Sequence, residues 1–264
     1  MLEGRVVVLL FFKLLVTPLL IGLVTLAGCR WGPAISGWLI GLPLIAGPVA
    51  LFLAIELGRV FASNAALGTL TGLLSLTTFC LTYSWLSFRL NWIGCILLSW
   101  GAFFVVTSIL QYVFIPLLPA CLLVLCCLAL ALKLLPKSNS SITTVKPTSW
   151  DTPLRMLIAT AFVLALTGFA TLLGPRLSGL LTPFPIYATI LSVFTHYAQG
   201  DAAARRLLRG LISGIFSFAV FFLVVAELIV PLGIALAFGL ATLSALSLHG
   251  VSLYLIRKSM FSSV

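Results

Sequence analysis

Long apolar runs, each close to the length of a bilayer crossing and separated by short breaks bearing Gly, Pro or charge, follow one another along the chain. A transmembrane helix needs about 20 predominantly apolar residues, and in hydrocarbon only helices or closed barrels satisfy every backbone group. A barrel would require alternating polarity, which these runs lack. The pattern predicts nine helical spans, at about 6–28, 33–57, 61–86, 91–112, 115–135, 153–173, 175–199, 207–230 and 232–256. The one sizeable polar stretch, LPKSNSSITTVKPTSWDTP from Leu135 to Pro153, is rich in Ser, Thr and Pro and reads as a linker. The predicted class is an all-α polytopic membrane protein. Its parts are a four-helix unit over 1–112, a linking helix and polar loop over 113–152, and a second four-helix unit over 153–264.

Composition agrees with the class and narrows the partners. With 62% hydrophobic and 8% charged residues and a mean hydropathy of +1.27, the chain lies outside the range of soluble domains, in which about a quarter of residues are charged. On alternate sides of the nine spans, Lys and Arg divide eleven against three, with Arg5, Arg59 and Arg176 on the poorer side. The richer side is expected to be cytoplasmic, which puts the amino terminus outside and the carboxyl terminus inside. The net charge of +10 is thereby a property of topology, and the bilayer, not nucleic acid, is the expected partner. Association with further copies of the chain stays open. LAGC, Leu26 to Cys29, has the form of a lipobox, but Glu3 beside Arg5 and the interrupting Lys13 do not suit a signal peptide. Cys80, Cys95, Cys121, Cys126 and Cys127 sit in apolar spans without metal-ligand spacing and read as packing residues.

WGPAISGWLIGLP, Trp31 to Pro43, returns as LGPRLSGLLTPFP, Leu173 to Pro185. The offset of 142 pairs Pro33 with Pro175, Ser36 with Ser178, Gly37 with Gly179, Pro43 with Pro185 and Gly58 with Gly200, and runs on through Gly68 and Gly210 to Phe79 and Phe221. Such a register points to internal duplication. Because an odd span separates two four-helix units, the second is expected to insert upside down, the inverted-repeat plan of many secondary transporters. Pro43 and Pro48 flank LIAG, and Pro183 and Pro185 bracket Phe184, near the middle of their runs. Two readings are open: discontinuous helices meeting at a central site, or kinked packing helices. Ser36, Gly37, Ser178 and Gly179 suit both.

Ionisable residues in or near the spans are few, so each is a candidate for substrate binding or gating. By topology Lys13, Glu56 and Glu227 belong to the outer third, and Arg155, His196, Asp201 and His249 to the inner side. The outer group reads either as a functional charge pair or as side chains snorkelling to water. His196 and His249 read as proton relays or as small polar packing contacts. No zinc-protease helix, phosphate loop, nucleophile elbow or close carboxylate pair is present, so neither enzymatic chemistry nor a cofactor or metal is expected.

The second unit, with Arg155 opening its first helix, then LGPRLSGLLTPFP, a broken second helix and two more helices, resembles the small four-helix bacterial inner-membrane proteins of the GlpM type. The resemblance covers Pro153 to Lys258 best and implies an inner-membrane location and a link to envelope or exported-polysaccharide physiology. Two units fused through an extra span are also similar in logic to the drug and metabolite transporter superfamily. Lys13, however, stands where small multidrug carriers use an acidic residue. The expected function is an alternating-access carrier of a small or lipid-linked solute, with a polar pocket at Pro43 and Pro185. The alternative is a non-transporting membrane component of envelope or exopolysaccharide biosynthesis machinery.

Overall fold

The computed structural model describes residues 33–136 and 151–261, together with Leu15 and Leu19. Lys13, the first predicted span, the LAGC stretch and most of the polar linker lie outside the described residues, as do the side chains of Ser36 and Arg155. The described helices are α1 Pro33–Ile40, α2 Ala46–Leu57, α3 Arg59–Leu86, α4 Trp92–Tyr112, α5 Leu117–Leu134, α6 Asp151–Gly168, α7 Ala170–Leu181, α8 Ile186–Gln199, α9 Asp201–Leu232 and α10 Ile234–Phe261. No strand occurs among the described residues. The chain is an all-helical, multi-pass membrane protein: α3, α4, α5, α9 and the described part of α10 are each long and apolar enough to cross a bilayer. The spans predicted at 33–57 and 175–199 are each interrupted, by 41–45 and by 182–185. Pro48 does not bound the first interruption, since it lies in the first turn of α2, where a missing N–H is tolerated.

Hydroxyl residues stay within these apolar helices because they return their hydrogens to the preceding turn. Thr69 donates to Ala65 O at 2.9 Å, Thr77 to Leu73 O at 2.7 Å and Ser84 to Cys80 O at 2.7 Å. Among the five long apolar helices, the most enclosed are α3 and α9, whose apolar windows are 67% and 50% buried, against 28% for α4 and for α5. They run antiparallel. Arg59 donates to Val230 O and Ser63 to Ala226 O at one end, and Arg205 reaches Ser87 at the other. The shared core gathers Leu70, Leu73, Phe79 and Tyr83 of α3 with Leu207, Leu208, Phe222 and Val225 of α9. On the outside, α4, α5 and α10 expose Leu97, Val105, Leu118, Leu122 and Leu243, as a lipid-facing surface must.

The short helix α1 packs on the long helix α9, and α7 on α3. A Cβ on Gly37 of α1 would collide with Leu207 O of α9, and one on Gly179 of α7 with Ala65 O of α3. These collisions correspond at the 142-residue offset in both partners. So do the contacts that an added Cβ would make from Gly214 to Trp38 O and from Gly72 to Leu180 O, the latter at 2.8 Å. The element ends agree as well: α2 and α8 stop at Leu57 and Gln199, α3 and α9 start at Arg59 and Asp201, and α4 and α10 start at Trp92 and Ile234. Between them stand Gly58 (φ 89, ψ 169) and Gly200 (φ 84, ψ 173), in a region closed to side chains. Nothing lies within 4 Å of a Cβ at either glycine, so Gly58→Ala and Gly200→Ala are expected to destabilise through backbone strain alone. Each should cost about 1–3 kcal/mol, to a similar extent, in chemical-denaturation midpoints.

Candidate functional site

The two interruptions are built alike. After α1, Leu42 N–H donates to Leu39 O (3.1 Å), Leu44 N–H to Leu42 O (2.8 Å) and Gly47 N–H to Pro43 O (2.7 Å). After α7, Phe184 N–H donates to Leu181 O (2.9 Å), Ile186 N–H to Phe184 O (2.8 Å) and Thr189 N–H to Pro185 O (2.7 Å). In both, a proline is the middle residue of a three-residue turn, and Pro185 has φ −78 and ψ 45, near the inverse γ conformation. Proline suits this place for two reasons. Its ring presets φ, and its missing N–H is not asked for a helical bond, while its carbonyl begins the next helix. Both apolar runs are thus interrupted, one at Pro43 and the other at Pro185.

Both breaks face one cavity of about 70 Å³, open at its mouth. Leu42, Leu44 and Ile45 enter it from the first break, Pro183, Phe184 and Pro185 from the second, and Leu211, Ile215 and Phe218 from α9. Pro43 itself is not in the lining. The expected polar pocket is corrected here: the walls are hydrocarbon apart from Thr182 and Tyr187, and the Thr182 hydroxyl is committed to Ser178 O at 2.7 Å. Ser178, the other small residue singled out, is fully buried, with its hydroxyl 3.4 Å from Ala170 O, and does not line the cavity. Phe184 sits among Trp100, Phe103, Phe104 and Phe162, with ring centroids 5.3–5.9 Å away. Trp100 is oriented by its Nε1–H, which donates to Thr189 Oγ1 at 3.0 Å. Phe162 and Phe184 also line an apolar groove on the flank of α4, α6 and α7, beside the exposed Phe169. Two rings thus separate the central cavity from a surface open to lipid.

The charged candidates are not at the cavity. Glu56 and Glu227 are exposed, toward the end where Arg59 meets Val230. The inner group divides in two. His196 Nδ1 lies 3.3 Å from the Tyr83 hydroxyl, beside the Asp201–Arg205 ion pair. The Arg205 guanidinium covers the Phe88 ring at 3.9 Å from its centroid and donates to Ser87 Oγ. This arrangement anchors the start of α9 against the end of α3, as a buried cation held by a carboxylate and an aromatic face.

His249 is elsewhere, buried between α1 and α9. Its Nδ1 is 2.8 Å from Ser217 Oγ, and its ring stacks on Trp38 at 3.6 Å between centroids and 18° between planes. Trp38 Nε1–H donates to Ser252 Oγ at 2.7 Å, and Ser252 donates to His249 O at 2.9 Å. At the equivalent place in the first half, Thr107 donates to Ser75 Oγ at 2.9 Å across α4 and α3. Extending the 142-residue register from Gly72 and Gly214 to Ser75 and Ser217, and on to Thr107 and His249, carries this signal in the sequence. Tyr83, Arg205, Trp38 and the rings around Phe184 carry no such mark. Comparison with family models, curated proteins and solved structures finds no match to this chain.

Proposed function

We propose that the protein is a membrane carrier for a lipid or lipid-linked solute, built from two inverted repeats that expose a central cavity alternately to the two faces. The observation that carries the reading is the pair of proline breaks with the same hydrogen bonds, closing on one cavity. Inverted orientation is supported by the direction of the helices. The first broken segment lies against Leu207 at Gly37, Gly214 at Gly41 and Phe221 at Gly47, so it follows α9; the second lies against Ala65 at Gly179, Gly72 at Pro183 and Tyr83 at His196, so it follows α3. With α3 and α9 antiparallel, the two broken segments run opposite ways, each as one full crossing. Counting them so agrees with the expected nine-span arrangement, whose first span lies outside the described residues, with the amino terminus outside and Arg205, Arg206 and Arg209 on the cytoplasmic side.

The lining selects the substrate class. Apart from what Tyr187 and Thr182 could meet, a polar solute would leave its hydrogen-bonding groups unmet among Leu, Ile, Phe and Pro, at a cost of roughly 2–7 kcal/mol for each group. An isoprenoid or acyl chain meets no such penalty, and the groove beside Phe162 and Phe184 offers it a lateral way in. A second reading, a non-transporting component of envelope or polysaccharide synthesis, draws on the apolar flank of α4 and α5 as a contact surface. Vesicles holding a trace of NBD-tagged polyprenyl phosphate or phosphatidylethanolamine separate the two. Dithionite added outside should bleach only the outer-leaflet dye in empty vesicles and nearly all of it in those carrying the protein. The same bleaching in empty and protein-containing vesicles, for both probes, would overturn the carrier reading.

A further inference from the structure

We propose that His249 is a proton-binding site inside the helical bundle, accepting a proton on Nε2 against the face of Trp38. The hydrogen bonds around the ring assign the tautomer. Ser217 has one hydroxyl hydrogen, and its Oγ lies 2.7 Å from Gly214 O, which can only accept. The Ser217 oxygen is therefore left to accept from His249, so Nδ1 carries the hydrogen at 2.8 Å and Nε2 carries the lone pair. That nitrogen is buried and has no hydrogen-bond partner among the described residues, in a residue only 4% exposed.

Packing alone does not call for histidine here. The equivalent contact in the other half is made by Thr107 on Ser75, with a smaller side chain and every polar atom used. What histidine adds is one basic atom, left bare. A buried base in hydrocarbon is tolerable in its charged form only if something stabilises the cation. Trp38 lies parallel to the ring at 3.6 Å, and indole is the strongest of the side-chain π faces for a cation. Trp38 is itself fixed through Ser252, so the face stays in place.

Among the described residues, no second ionisable group competes for the proton within this packing. The α1 helix carries no titratable side chain, α9 has none between Arg209 and Glu227, and on α10 the nearest are Tyr254, Arg257 and Lys258, whose side chains lie outside the described ones. The step is a simple proton transfer: a hydronium ion gives its proton to the Nε2 lone pair, one O–H bond breaking as one N–H bond forms, and leaves water and imidazolium. Its mechanical reach is through α1, which holds Trp38 and leads into Gly41 against Gly214, beside the cavity wall at Leu42. That this proton drives movement of the cavity wall rests on the carrier reading; that it binds does not.

Ring-¹⁵N-histidine spectra of the full-length protein in phospholipid nanodiscs test the site directly. The chain has two histidines, and His196→Asn removes the other signal. Between about pH 8 and about pH 4, His249 should begin as the Nδ1–H tautomer with a bare Nε2 and end as imidazolium in protein that is still folded. Trp38→Leu should move the midpoint about one unit to lower pH, and Trp38→Phe by less, the latter serving alone if the leucine variant does not fold. An Nε2–H tautomer at neutral pH, an Nε2 that stays bare throughout, or a midpoint indifferent to the Trp38 variants would overturn the proposal. None of these readings involves transport, so failure here and failure of the carrier are told apart.

Discussion

Gly37→Val and Gly179→Val should each abolish the folded protein, while Gly101→Val leaves it intact. At Gly37 and Gly179 the backbones of a short helix and a long helix touch, and an added Cβ would overlap Leu207 O and Ala65 O. A helix carbonyl cannot rotate away without breaking its own hydrogen bond, so the axes must separate. Overpacking a core typically costs about 1–3 kcal/mol when side chains give way. Here backbone must give way, Gly41 and Gly214 or Gly68 and Gly72 would be levered apart with it, and a loss of at least about 3 kcal/mol is expected. Set against a total stability of about 5–15 kcal/mol, that loss should appear as collapse of the monodisperse peak in detergent and a large fall in melting temperature. Gly101 faces open space, with nothing within 4 Å of a Cβ, and controls for the substitution itself. A stable, monodisperse Gly179→Val protein would show that the crosswise packing of α7 on α3 is not what holds the halves together.

Filling the cavity should have the opposite signature, with activity lost and the fold kept. Ala46 and Ala188, at the 142-residue offset, are buried and line the cavity from its two sides. Replacing either with Leu adds three carbon atoms to vacant apolar space. Stability should change by less than about 2 kcal/mol, in the stabilising direction if the new side chain fits without strain. Transfer of NBD-tagged polyprenyl phosphate should fall at least about tenfold in both variants, equivalent to about 1.4 kcal/mol on the barrier. Ala235→Leu, on the exposed face of α10, is the matched control. If Ala46→Leu and Ala188→Leu transfer the probe at the rate of the unaltered protein, the solute does not pass through this cavity.

The candidate site was legible in the sequence unevenly. Pro43 and Pro185 marked the breaks, because a residue without an N–H interrupts a helix whatever surrounds it. Gly37 and Gly179 could be singled out as small residues at helix contacts, although not with their partners. Among the titratable candidates the outcome was different. Glu56 and Glu227 turned out exposed, His196 joined Tyr83 beside Arg205, and His249 joined Trp38. Depth in a span says how much burial of a charge would cost; it does not say which neighbour arrives to offset it.

What the sequence determined by itself was the class: a helical chain in a membrane, with prolines in corresponding places of two apolar runs. Those are local properties. Hydropathy, run length and the absence of an N–H act over about 20 residues and need no knowledge of the rest of the chain. Tertiary structure alone decided that the cavity between the breaks is lined with Leu, Ile, Phe and Pro instead of polar groups, and that the Phe184 ring closes its flank. It also decided that a histidine at 249 meets a tryptophan at 38. Such contacts join residues far apart in the chain, and their partners are chosen by how close two helices can come. In this protein that distance depends on glycines facing backbone across the two halves, where the absence of a side chain on one helix counts only once the other helix is in place.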